Sequence, residues 1–305
     1  MIMTVLVTGA YGFLGRNVAI NFSKKGFNVV GAGHAAWKND EWRMFGMSEW
    51  REGDITINML DSYGIRPDVI VHCAGSGSVG FSLEFPFHDF QRTVMSTLAV
   101  LEFVRLLSPT TRIVYPSSAA VYGISKLLPI SEDNPLLPVS PYGMHKKFSE
   151  ELCQSYAERF DVSVSILRFF SIYGDGLKKQ LLWDACKKIK QGINYFSGNG
   201  MEIRDWVHID DAVNLIGIAA KNASNRCSIV NGGSGEGVTV KEILKEVFLA
   251  SSAKIEPIFS NEVRIGDPAH YIADITSAME LGWRPKIKWR EGIHNYVNWF
   301  NGLHL

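Results

Sequence analysis

Apolar positions along the chain alternate between two periodicities. Val5, Leu6 and Val7 form a short continuous run ending at Thr8, and Leu14, Val18, Ala19 and Phe22 then recur at three- and four-residue intervals. The first pattern predicts a buried strand and the second a helix with one apolar face. Further short runs predict strands at Phe27–Ala32, near Trp50–Gly53, at Asp68–Cys73 and at Arg112–Tyr115, with a long helix from about Phe87 to Leu107 before the last of these. A second long helix is expected at Pro141–Phe160 and a strand at Val162–Leu167. Strands and helices in this alternation predict an α/β fold built on a doubly wound parallel sheet.

After Arg168 the rhythm changes. Gly174, Gly176, Gly192, Gly198 and Gly200 divide the chain into short elements, and a helix near Ile209–Ala220 and a strand near Ser228–Val230 are expected to return to the sheet. The expected organisation is therefore residues 1–170, with 207–230 returning to them, and a smaller C-terminal substrate region formed by 171–206 and 231–305.

Charge narrows the classes of partner. Lysine plus arginine equals aspartate plus glutamate at 31 each over 305 residues, so no global field draws the protein to nucleic acid or to an anionic membrane. Cys73, Cys153, Cys186 and Cys227 show no C-x-x-C spacing, which argues against a metal knuckle or a disulfide framework and fits a reducing cytoplasm. The first strand begins close to Met1 and no apolar run approaches ~18 residues. A soluble cytoplasmic protein without a membrane partner or a metal site is the expectation.

Candidate chemistry collects at strand ends. Gly9, Gly12 and Gly15 lie between the first strand and its helix, where glycine permits a tight turn and close approach of a pyrophosphate, and the helix start favours an anion. Ser117 and Ser118 end the strand that begins at Arg112. Tyr142 and Lys146 are four residues apart and share one helix face. A phenol titrates near pH ~10, too high for an efficient base, and an ammonium one turn away is expected to lower that value. Tyrosine, lysine, serine and a dinucleotide turn together suit proton transfer coupled to hydride transfer.

The segments TGAYGFLG, HCAG, SSAAVYG, YGMHK and RDWVHIDD, in this order and at these separations, resemble the extended short-chain dehydrogenase/reductase family, the epimerases and dehydratases of nucleotide sugars. The likeness spans nearly the whole chain. It implies a Rossmann-type first region that binds NAD or NADP and a second region that binds a sugar on a nucleoside diphosphate. It also implies roles for individual residues. Ser118, Tyr142 and Lys146 would be catalytic, with Tyr142 and Lys146 also touching cofactor. Gly9, Gly12, Phe13, Leu14 and Gly15 would surround the pyrophosphate, Asp54 and Ile55 would meet the adenine, and Ala74 and Gly75 would line the cofactor. Val79, Gly80 and Ser82 would lie near the sugar, and Arg204 and Arg264 would clasp the diphosphate, for which a planar guanidinium is suited. His72 and His208 read as structural histidines. Family members commonly dimerise through their two long helices, here with Val94, Leu98, Leu101, Phe148, Leu152 and Tyr156 as apolar contacts, although the same residues could face the sheet.

The departures are informative. Gly31, Ala32 and Gly33 stand where an NAD enzyme presents an acid to the ribose 2′-hydroxyl, so a 2′-phosphate meets no repulsion and His34 or Lys38 could contact it. Thr93 and Gly77 replace residues usual in 4-epimerases. Ala119 and Ala120 replace the acid pair with which the 4,6-dehydratases eliminate water, which excludes that reaction. The sequence thus predicts hydride transfer at C4 of a nucleotide sugar, slightly favouring a 4-ketosugar reductase, with an NAD-dependent 4-epimerase as the alternative. A cofactor sensor without catalysis is a third reading, because fold alone does not impose activity.

Overall fold

A computed structural model describes residues 2–62, 64–262 and 270–303. Its strands, in chain order, are β1 (Thr4–Thr8), β2 (Asn28–Gly33), β3 (Glu49–Glu52), β4 (Val69–His72), β5 (Arg112–Ser118), β6 (Ser163–Phe169), β7 (Ser171–Tyr173), β8 (Tyr195–Phe196), β9 (Ile203–His208), β10 (Ser228–Gly232), β11 (Gly237–Thr239) and β12 (Ile258–Phe259). The α-helices are α1 (Phe13–Lys24), α2 (Ile57–Asp61), α3 (Val79–Glu84), α4 (Pro86–Phe90), α5 (Ser96–Leu107), α6 (Pro141–Phe160), α7 (Gln180–Lys190), α8 (Ile209–Asn222), α9 (Val240–Ala250), α10 (Thr276–Glu280) and α11 (Trp289–Asn301).

Seven strands form one sheet in the order β10-β6-β5-β4-β1-β2-β3. The pairs from β3 across to β6 are parallel, with Val5 opposite Val29 on one side and Val69 on the other. Strand order reverses between β1 and β4, the position at which open α/β sheets take ligands at their carboxyl edge. The near-continuous apolar runs Val5–Val7 and Val69–Val71 are buried on both faces, as a covered parallel sheet demands. Leu101, Phe103 and Val104 of α5 and Cys153 and Ala157 of α6 close over Ile113, Tyr115, Val164 and Ile166.

One helical expectation changes. The segment expected as one helix from Phe87 to Leu107 is α4, a π-helical turn at Gln91–Met95, and then α5. Hydroxyls bond back to the backbone there: Ser96 Oγ donates to Arg92 O and Thr97 Oγ1 to Thr93 O, each at 2.6 Å, which favours a distorted ladder. Between β2 and β3 the crossover carries only a 3₁₀ turn, Glu41–Phe45, which buries Trp42.

Contacts divide the chain into two units. The first comprises Met1–Gly123, Pro135–Phe169 and Val213–Asn231, and the second Ile124–Asn134, Phe170–Ala212 and Gly232–Leu305. The first unit holds the seven-stranded sheet. In the second, β11-β9-β7 and β12-β8 form small sheets, and Ile243, Val247, Ile293 and Val297 bring the buried faces of α9 and α11 into a core. The segment Ile124–Asn134, which the sequence pattern leaves inside the first region, joins the second through Ile130, whose N–H donates to Ile272 O. Among the described residues no helix is long and apolar enough to cross a membrane, and no cluster of histidine, cysteine or carboxylate could hold a metal.

Candidate active site

The glycine turn is fixed by crowding. Gly9 has φ +64°, and a Cβ there would lie 2.6 Å from both Ala74 N and Cys73 O, so the β1 and β4 loops meet only if residue 9 lacks a side chain. A Cβ on Gly15 would lie 2.5 Å from Gly9 O. Helix α1 starts at Gly12 with no side-chain cap and no acid in its first turn, which leaves its leading amides and dipole to an outside anion. Phe13 and Leu14 occupy that first turn. The turn therefore fits the pyrophosphate of a dinucleotide.

Around the turn, Ala74 N donates to Thr8 Oγ1 at 3.2 Å, and Ser76 N to Thr93 Oγ1 at 3.3 Å. His72 is bonded through Nδ1 to Thr8 Oγ1 at 2.7 Å and through Nε2 to Ser96 Oγ at 3.3 Å. Burial, with the Lys146 charge adding to it, lowers its pKa to about 3, so this histidine is a neutral bridge between β1, β4 and α5. Asp54 and His34 point at each other, Oδ1 to Nε2 3.0 Å apart and both exposed, while Ile55 is buried.

At the other end of the edge, β5 delivers Ser118 and α6 delivers Tyr142 and Lys146. Helix α6 is capped by Ser140, whose Oγ accepts from Gly143 N at 3.2 Å, and opens with Pro141. A Cβ on Gly143 would lie 2.5 Å from Ala120 O, so this glycine lets the first turn of α6 press against the chain just beyond Ser118. Ser118, whose Oγ accepts Ala120 N at 3.2 Å, lies beside the Tyr142 phenol. Burial raises the Tyr142 pKa, the neighbouring Ser118 hydroxyl opposes that rise, and the carboxylate of Asp89 adds to it. The expected lowering by Lys146 is not what acts here. The Lys146 ammonium donates to Pro116 O at 2.9 Å over the ring of Tyr115, and burial brings its own pKa down to about 8.

Ser82 takes a different position from the one the resemblance implies. It is fully buried, donates to Val79 O at 2.7 Å and accepts the amide of Tyr142 at 3.0 Å, so it steadies the start of α6. Val79 is exposed at the head of α3 and Gly75 is exposed after β4. Arg204 is half-buried on β9, donating to Ile203 O at 2.9 Å with its guanidinium over the Tyr271 ring. Arg264 lies outside the described residues.

Two features escape sequence reading. Glu150, one turn beyond Lys146 and 1 % exposed, accepts from Ser117 Oγ at 2.5 Å and from Arg168 Nη2 at 2.8 Å; Arg168 Nη1 donates to Tyr122 OH at 3.0 Å, and Tyr122 OH donates to Asn231 at 2.7 Å. This network ties β5, β6, α6 and β10 together beneath Ser118. The available signal was the continuation Tyr142, Lys146, Glu150 at four-residue spacing. In the second unit, Asp205 of RDWVHIDD is buried and accepts from Ser234, Gly235 N and Ala273 N. Asp211 accepts from Lys286 N and Ile287 N, so two of the motif's three acids hold loops. His208 is buried edge-on to Tyr173, in keeping with a structural role.

Comparison with known proteins agrees with this geometry. The UDP-glucose 4-epimerase of Lactobacillus helveticus is 29 % identical over 310 residues, covering 93 % of this chain and 92 % of that protein. The UDP-glucose 4-epimerase of Thermotoga maritima, solved with UDP-glucose, superposes with a TM-score of 0.90 at 26 % identity, covering 98 % of this chain and 99 % of the other. MoeE5, solved with UDP-glucuronic acid and NAD, gives a TM-score of 0.86 at 27 % identity, covering 98 % and 99 %. The preference for a reductase over an epimerase is reversed by these relatives, which are epimerases where their activity is named. The model of the NAD dependent epimerase/dehydratase family matches residues 5–232, and the chain belongs to that family.

Proposed function

We propose that the protein is a nucleotide-sugar 4-epimerase acting on a UDP-hexose with a nicotinamide dinucleotide as its resident cofactor. The observation that carries this reading is the neighbouring pair Ser118 and Tyr142 with Lys146 one turn further along α6, beside a glycine turn that fits a pyrophosphate. The epimerases among the relatives support the substrate class.

When bound, the dinucleotide supplies the hydride acceptor and donor. Tyr142 takes the C4 hydroxyl proton as the sugar is oxidised and returns it when the ketone is reduced on its other face. Ser118 holds the C4 oxygen and, with its hydroxyl beside the phenol, offsets part of the burial that keeps Tyr142 protonated. Lys146, its pKa brought down to about 8 by burial and its ammonium held at Pro116 O, would meet the nicotinamide ribose. Gly9, Gly12, Phe13, Leu14 and Gly15 hold the pyrophosphate, with Ala74 and Gly75 along the cofactor. Arg204 and Arg264 are assigned to the diphosphate and Val79 to the sugar. Ser82 is reassigned from sugar contact to positioning Tyr142. Ala119 and Ala120, without an acid, leave no group there for dehydration.

Incubation of purified protein with UDP-glucose or UDP-galactose and no added dinucleotide is expected to yield the C4 epimer by chromatography. Absence of epimerisation together with NADPH-dependent reduction of a 4-ketosugar nucleotide would replace this reading with the reductase. A homodimer through α5 and α6 is part of the proposal, with revised contacts. Of the six residues named for it, Val94 and Leu101 are buried, Leu98 is half-buried, and Leu152 and Tyr156 pack on the core, whereas Phe148 is exposed, as are Met95 and Met144. Sedimentation at micromolar concentration tests it.

A further inference from the structure

The adenosine end of the proposed dinucleotide meets an aromatic box around a guanidinium. Gly33 closes β2 where a carboxylate would reach a ribose 2′-hydroxyl, and a Cβ there would lie 3.3 Å from Trp50 Cη2 and 3.6 Å from Gly9 Cα. An indole therefore borders the space an acid would use, beside the glycine turn. Arg16 follows Gly15 directly. Its Cζ lies 4.3 Å from the ring centroid of Tyr11, 4.9 Å from that of Trp37 and 5.0 Å from that of Phe45, and Trp37 meets Trp50 edge-on at 5.7 Å. Arg16 Nε, Trp37 Nε1 and Trp50 Nε1 are all buried without an acceptor. Among the described residues no carboxylate pairs with Arg16, and the nearest acid assigned to the adenosine, Asp54, is taken by His34.

We infer that Arg16 is a cofactor-discriminating residue that receives the 2′-phosphate of NADP(H), so that the chain prefers the phosphorylated dinucleotide. The inference rests on the dinucleotide reading above and deepens it. Aromatic rings cover the flat faces of a guanidinium, whereas its donors lie in the plane, so the edge of Arg16 is what the box leaves for phosphate oxygens. A phosphate supplies a charged acceptor for the in-plane donors of Arg16 that the 2′-hydroxyl of NAD does not. The glycines at the end of β2 remove the carboxylate that would repel it. His34, which the sequence offered for this contact, is engaged by Asp54, and Arg16 takes its place.

Tryptophan fluorescence reads the site directly, since Trp37 and Trp50 belong to the box. Protein stripped of nucleotide is titrated with NADP⁺, NAD⁺ and the nicotinamide-free pair 2′,5′-ADP and 5′-ADP. The wild type is expected to bind NADP⁺ and 2′,5′-ADP roughly tenfold or more tightly than NAD⁺ and 5′-ADP. Arg16→Met, shown by thermal unfolding to be folded, should remove that difference and leave NAD⁺ affinity within about twofold, and Arg16→Lys should fall between. Equal or tighter NAD⁺ binding by the wild type, or equal losses for both dinucleotides in Arg16→Met, overturns the inference while leaving the dinucleotide reading standing. Binding of neither dinucleotide overturns both.

Discussion

At the β5 end of the sheet edge a buried carboxylate meets a buried guanidinium: Glu150 and Arg168 lie 2.8 Å apart, with Ser117, Tyr122 and Asn231 extending the network on either side. At the β2 end another guanidinium, Arg16, lies among rings, and three buried N–H groups find no acceptor. The two ends serve the same proposed ligand. One has its hydrogen bonds made before anything binds, which holds Ser118 and α6 in place for a reaction that tolerates little displacement. The other has donors to spare, which suits recognition of a group that brings its own charge. Preorganisation for chemistry and readiness for binding thus lie on opposite sides of the β1–β4 switch point of one sheet.

The largest effect should come from the finished end without disturbing it. Tyr142→Phe is expected to lower turnover by roughly 10²–10⁴-fold, the usual worth of a positioned proton-transfer group. Dinucleotide affinity and thermal midpoint should stay near those of the wild type, because the phenol takes no part in the Glu150 network. Steady-state rates alongside a dinucleotide titration check this. A large loss of affinity would mean that Tyr142 holds the ligand and does not act on it.

Next in size is the network itself. Glu150→Ala leaves Arg168, 2 % exposed, without its carboxylate, and breaking such a buried pair costs about 3–5 kcal/mol. Urea unfolding should show the loss, and replacing both residues with methionine should recover much of it, since two well-packed apolar chains carry no unpaired charge. If the double variant is as unstable as the single one, the network matters for packing and not for charge.

The sequence disclosed these two ends unequally. Tyr142, Lys146 and the three glycines are legible because their geometry is local: four residues along a helix, or one turn between a strand and a helix. The alternation of strands and helices and the long helix α6 follow from the same short-range patterns, and α6 has the bounds its periodicity predicts. Glu150 and Arg168 could not be paired by eye, because 18 residues and a strand crossover separate them. The Arg16 box joins residues 11, 16, 37, 45 and 50, and only side-chain packing makes one site of them. The π turn within the helix expected at Phe87–Leu107 was hidden because apolar periodicity is indifferent to hydroxyls that bond back to the backbone. Ser82 was misplaced because a serine in a substrate loop and a serine capping a neighbouring helix look alike in sequence.

A proton probes the region between the ends. His72 bridges Thr8, at the glycine turn, to Ser96, and it senses Lys146. Its pKa is lowered from 6.5 to about 3 on folding, so between those values the unfolded chain binds a proton that the native one does not. Stability contributed by neutral His72 is present in full above about pH 6.5 and is lost as pH falls, reaching about 2 kcal/mol lost near pH 5. Thermal midpoints of wild type and His72→Gln across that range should converge on acidification. Parallel curves would show that His72 is not the group that links the two ends to pH.

The smallest effect is the one that divides the ends most sharply. In the absence of ligand, Arg16→Met removes a guanidinium that has no carboxylate to strand, so the cost should be limited to the lost ring contacts, within about 1 kcal/mol. Methionine fills similar space without an N–H to bury, and relief of the unpaired Nε offsets part of that loss. The comparison with Glu150→Ala is then direct: two substitutions, each removing one side of a buried guanidinium environment, differ severalfold in cost because only one leaves a charge behind. Ligand should reverse the order of the two sites. A dinucleotide at about a hundred times its dissociation constant stabilises the wild type by about 2.7 kcal/mol, and the part owed to a 2′-phosphate should vanish in Arg16→Met. Melting curves with and without NADP⁺ measure both quantities on the same samples. A variant that loses several kcal/mol without ligand would show that Arg16 holds the fold, and that the unfilled donors at this end mark strain in the core.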